Sequence, residues 1–110
     1  MKIRESAIEA YLVRRVKQAG GVAYKWVSPG QIGVPDRIVM MPGGWIAFVE
    51  LKATGGIVNA MQARQHVKLM KLGMRVLVID SMAGVDKFVD RMPALKTRSG
   101  KRELTIREPR

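Results

Sequence analysis

Three charged residues stand out in the middle of the chain because most of their neighbours are apolar: Asp36, Glu50 and Lys52. Glu50 and Lys52 lie two apart in the run Trp45-Ile46-Ala47-Phe48-Val49-Glu50-Leu51-Lys52-Ala53, whose composition suits a strand. Side chains alternate along a strand, so Glu50 and Lys52 share one face and Val49 and Leu51 the other. Asp36 opens a second such run, Asp36 to Met41, and Pro42-Gly43-Gly44 separates the two as a hairpin turn would. With a three-residue loop, Met41 pairs with Trp45, Met40 with Ile46, Ile38 with Phe48, and Asp36 falls opposite Glu50 on the face of Lys52. A two-residue loop would send Asp36 to the other face, so the register is a sharp expectation.

Two carboxylates held this close repel each other unless a proton or a cation intervenes, and a divalent ion resolves the conflict. A lysine beside them adds positive charge where negative charge develops in phosphoryl transfer to water. An arbitrary Glu-X-Lys is usually an exposed ion pair worth at most about 1 kcal/mol. Here the surrounding strand is apolar, and burying a purely structural charge pair there would be costly.

Composition narrows the metal and the partner. The chain has no cysteine and a single histidine, His66, so a metal must be held chiefly by oxygen, which points to Mg2+ or Mn2+. The formal net charge of +11 on 110 residues favours a polyanionic partner, because Lys and Arg release counterions condensed on a phosphate backbone. No apolar run is long enough to span a bilayer, and Met1-Lys2-Ile3-Arg4-Glu5 enters a charged pattern with no apolar signal segment. The expected setting is the cytoplasm of a bacterial or phage-infected cell, with no membrane and no small-molecule organic cofactor.

The flanking elements follow from periodicity. From Arg4 to Ala19, Ile8, Leu12, Val13, Val16 and Ala19 form one helical arc, which Gly20-Gly21 ends; Glu5 and Glu9 project within the same arc. Val22 to Val27 reads as a short strand running into a loop rich in turn residues, Ser28 to Pro35. Lys25, Ser28, Gly30 and Gln31 are candidates for gripping phosphate at the approach to the cleft. A second helix is capped by Asn59 and stopped by Gly73; Met74 to Asp80 is apolar enough for a strand buried on both faces; Ser81 to Asp90 is a short third helix. His66, one turn after Gln62, is expected at the surface or facing DNA. Residues 1–95 form one domain, and 96–110 a basic tail in which Leu104-Thr105-Ile106 could add an edge strand.

Gly33-Val34-Pro35-Asp36-Arg37, Phe48-Val49-Glu50-Leu51-Lys52 and Gln62 together resemble the virus-type replication-repair nuclease (VRR-NUC) domain of the PD-(D/E)XK superfamily. The resemblance runs from about Glu5 to Asp80. It implies an α/β fold with a restriction-endonuclease-like core: helix, three strands, helix, strand, with a central mixed β-sheet flanked by helices. It also implies divalent-metal hydrolysis of DNA and, in small stand-alone members, a homodimer that cuts branched DNA such as Holliday junctions in repair or recombination. Carried over by position, Asp36, Glu50 and the backbone carbonyl of Leu51 become metal ligands, with Lys52 and Gln62 acting at the attacking water and the phosphate. The resemblance adds a helix carboxylate to the metal, for which Glu9 is preferred to Glu5, and Arg37 joins the DNA-contacting set. A sequence-specific restriction endonuclease and a non-catalytic basic DNA-binding module are the alternatives.

Overall fold

The computed structural model describes residues 1–92. The elements run α1 (Glu5–Gln18), β1 (Val22–Lys25), β2 (Arg37–Met41), β3 (Trp45–Leu51), α2 (Ala60–Lys71), β4 (Arg75–Ile79) and α3 (Met82–Arg91). The four strands form one mixed sheet in the order β1-β2-β3-β4, antiparallel from β1 to β3, with β4 parallel to β3. The tail assigned to 96–110, with its candidate edge strand at Leu104-Thr105-Ile106, lies outside the described residues. Among the described residues no helix is long and apolar enough to cross a membrane.

The hairpin has the expected register: Met41 opposite Trp45, Met40 opposite Ile46 and Ile38 opposite Phe48. Gly43 and Gly44 have φ of 87° and 82°, the left-handed conformation that a tight hairpin turn requires and that glycine adopts without strain. Alternation then divides the sheet. One face carries Val39, Ala47, Val49 and Leu51, which pack with Ile8, Leu12 and Val16 of α1 and Val85 and Phe88 of α3 to form the core. The other face carries Ile38, Phe48, Glu50 and Val76, aligned by the same registers.

β4 departs from expectation. Among the described residues it is an edge strand of the sheet, like β1, and Val78 is 46% exposed, so its apolar sequence does not reflect burial on both faces. The crossover through α2 returns the chain parallel to β3, and among the described residues no strand follows β4. Only His66 is buried along the whole of α2, which therefore shields this edge sparingly.

Candidate active site

Three segments converge at the C-terminal end of β3. Asp36 directly precedes β2, where its carbonyl accepts from Trp26 N at 2.9 Å and adds a rung to the β1–β2 ladder. Its Oδ2 accepts from the Leu51 amide at 2.8 Å, which ties the carboxylate across the hairpin to the strand that carries Glu50. The chain before α1 is pinned just past β3: Ile3 N donates to Thr54 Oγ1 at 2.9 Å, and Thr54 N donates to the Ile3 carbonyl at 3.1 Å. That places the first turn of α1 over the end of the sheet. Glu5, Asp36 and Glu50 consequently offer one carboxylate oxygen each, all within 4.8 Å of one another. Glu5 is exposed, Asp36 half-buried and Glu50 only 1% exposed, so the cluster opens toward solvent at Glu5 and closes at Glu50.

α2 completes the surroundings of Glu50. A capping box fixes the start of the helix, with Gln62 N donating to Asn59 Oδ1 at 2.9 Å and Asn59 N donating to Gln62 Oε1 at 3.0 Å. The same Gln62 Oε1 accepts from Lys52 Nζ at 2.9 Å, while Gln62 Nε2 donates to Glu50 Oε2 at 3.1 Å. Lys52 Nζ lies 3.7 Å from Glu50 Oε2. The approach of the 28–35 loop depends on Gly33: a Cβ there would stand 2.8 Å from the backbone carbonyl carbon and oxygen of Met61, and its φ is +89°.

Burial pushes the Glu50 carboxyl up to about 8, helped by the charge and hydrogen bond of Asp36 and by Glu5, with Lys52 pulling the other way. Three carboxylates with one lysine are thus short of positive charge. Glu50 Oε1 is buried and has no hydrogen-bond partner. An all-oxygen donor set with a net negative charge and an unused buried oxygen fits a hard divalent cation such as Mg2+ or Mn2+.

The structure brings Asp36, Glu50, Lys52 and Gln62 together as expected from the hairpin and the helix that follows it. It does not bring Glu9: the carboxylate that joins Asp36 and Glu50 is Glu5, one turn earlier. Glu9 Oε2 instead accepts from Arg37 Nε at 2.9 Å. Arg37 also donates through Nη1 to the Ala23 carbonyl at 3.1 Å, so two of its nitrogens are held inside the fold. The signal for this lay in the hairpin. Arg37 must point to the face opposite Asp36, toward α1, where it needs an acid, and that requirement selects Glu9. Lys25, Gly30 and Gln31 are exposed and Ser28 half-buried; Gln31 N donates to the Ser28 carbonyl at 3.1 Å in a turn. His66, expected at the surface, is only 6% exposed and lies against Glu50.

No family model matches the chain. A solved structure described as a VRR_NUC domain superposes with a TM-score of 0.77 at 32% identity, covering 81% of this chain and 97% of that one. Over 79 residues the chain is 53% identical to "Putative nuclease p44" of Acyrthosiphon pisum secondary endosymbiont phage 1, spanning 72% of this chain and 85% of the phage protein. The chain belongs to the VRR-NUC domain family. Its Pro35-Asp36 and Glu50-Leu51-Lys52 fit the PD-(D/E)XK nuclease pattern, and the helix carboxylate that completes this VRR-NUC acidic cluster is Glu5.

Proposed function

We propose that this VRR-NUC chain is a metal-dependent endonuclease that hydrolyses DNA phosphodiester bonds. The observation that carries the reading is the convergence of Glu5, Asp36 and Glu50 from three separate segments beside Lys52. Glu5, Asp36 and Glu50 would hold the cation, with the Leu51 carbonyl as a further candidate oxygen. Asp36 keeps Oδ1 for this purpose because Oδ2 is taken by the Leu51 amide. Bound there, Mg2+ or Mn2+ would supply polarisation of a phosphate oxygen and a lowered pKa for water. Lys52 orients the attacking water and places positive charge where the phosphate gains negative charge. Gln62 fixes the Lys52 ammonium and the Glu50 carboxylate relative to each other through its two amide atoms. Lys25, Ser28, Gly30 and Gln31 stand on the 25–31 segment as the phosphate-gripping approach, and the net charge of +11 draws in the backbone.

The substrate is branched DNA, such as a four-way junction, cut by a homodimer in a bacterial or phage-infected cell. The resemblance to stand-alone VRR-NUC domains supports this, since resolving a junction takes two symmetric cuts. Purified protein incubated with a labelled junction, a flap and linear duplex should cut the junction best, only with Mg2+ or Mn2+. Glu50→Ala and Lys52→Ala should lose cleavage by about 100-fold or more. Cleavage that persists in chelator, or in either variant, overturns the assigned chemistry. Sedimentation as a stable monomer overturns the dimer.

A further inference from the structure

One buried side chain beside the acidic cluster, His66, has no part in the chemistry set out above. His66 Nε2 and Glu50 Oε1 face each other at 3.5 Å, and neither atom has any hydrogen-bond partner or contact with water-accessible surface. A ring N–H and a carboxylate oxygen are complementary, and sealed polar atoms in native proteins are almost always paired. His66 sits one helical turn beyond Gln62, so the two side chains project from the same face of α2. Gln62 already donates to the other oxygen of the same carboxylate, Glu50 Oε2.

We infer that His66 is a positioning residue of the active site: its Nε2–H holds Glu50 Oε1, so that α2 grips both oxygens of the buried carboxylate and sets its rotamer for the cation. The inference rests on the metal-dependent reading of the site. The neutral ring has one donor and one acceptor nitrogen, and a carboxylate neighbour selects the tautomer with the proton on Nε2. Each Glu50 oxygen keeps a lone pair for the cation while accepting one hydrogen bond. Carboxylates that bind metals are commonly held in this way, and removing the group that orients them weakens metal binding by about 10- to 100-fold.

The single histidine makes the test direct. A long-range proton–nitrogen correlation spectrum of the wild-type protein, with and without Mg2+, has one imidazole to read and needs no variant. In the Mg2+-loaded protein, where Glu50 is ionised, the Nε2–H tautomer is expected; an Nδ1–H tautomer there, which leaves Nε2 with a lone pair against a carboxylate oxygen, overturns the inference. Calorimetric titration with Mn2+ alone supplies the second readout. His66→Leu should weaken Mn2+ binding by about 10- to 100-fold, and His66→Gln, whose amide nitrogen reaches near the Nε2 position, should restore most of it. Affinity in a folded His66→Leu within about twofold of wild type, or His66→Gln as weak as His66→Leu, overturns the role. A wild-type chain that takes up no Mn2+ overturns the nuclease reading as well, which separates the two failures.

Discussion

On the face of the sheet covered by α1 and α3, Val39, Ala47, Val49 and Leu51 are fully buried and meet Ile8, Leu12 and Val16. One residue along the same strands the opposite face begins, and there Glu50 is just as hidden but lies among Asp36, Lys52, Gln62 and His66. The first face is filled by shape and the second by charge. Packing of its apolar side chains supplies stability, with the Arg37–Glu9 pair as a charged exception beneath α1. The second carries a carboxyl pushed up to about 8 by burial and by two acidic neighbours. Strands rigid on one side thus hold, on the other, a charge arrangement that would not assemble in water.

The largest stability effect should fall on the closed face. Leu12→Ala removes a fully buried side chain from the centre of α1 and should cost about 2–5 kcal/mol in urea unfolding. Val78→Ser, at the half-exposed edge strand of the open side, should stay within about 0.5 kcal/mol. Equal losses at the two positions would mean that the edge of β4 is covered in solution.

A smaller effect separates the two glutamates of α1, which stand one turn apart on either side of this divide. Glu9→Gln weakens a half-buried ion pair with Arg37 and should cost about 1–3 kcal/mol while Mn2+ affinity holds. Glu5→Gln removes an exposed carboxylate from the acidic cluster, so stability should change by less than about 0.5 kcal/mol while Mn2+ affinity falls. Paired calorimetric and unfolding measurements on both variants would show it. The reverse pattern would return Glu9 to the metal.

Much of this was legible in the sequence. Strand alternation and the length of Pro42-Gly43-Gly44 were enough to set Asp36 against Glu50 and Lys52, because hairpin register is a local property. The arc of Ile8, Leu12 and Val16 was equally plain from helical periodicity. Glu5 and Glu9 could not be separated that way, since both lie on the same arc. The choice depends on where α1 crosses the sheet, which the Ile3–Thr54 hydrogen bonds decide from 51 residues away. His66 was misplaced for a similar reason. A helix with one buried residue gives a weak periodic signal, and only the seating of α2 against β3 puts that histidine on Glu50. β4 shows the converse: its apolar run is consistent with a central strand, but edge position is a matter of topology and leaves no mark in composition.

The subtlest test of the contrast is a slope with pH. In the metal-free protein Glu50 holds its proton up to about pH 8, whereas in the unfolded chain it lets go near 4.5. Between those values the folded state binds more protons than the unfolded one, so raising the pH draws the chain toward unfolding. His66 acts in the opposite sense, since its folded pKa is lowered, but only near and below its ordinary value of 6.5. Between about pH 7 and 8 the imidazole is largely neutral in both states and the Glu50 contribution dominates. Urea midpoints of the metal-free protein should therefore fall across that interval, and Glu50→Gln, which cannot ionise, should flatten the fall. Saturating Mg2+ should flatten it too, because the cation binds the ionised carboxylate and releases the proton that makes the slope. A wild-type midpoint constant from pH 7 to 8, or a Glu50→Gln slope equal to it, would mean that the open face carries no more electrostatic strain than the closed one.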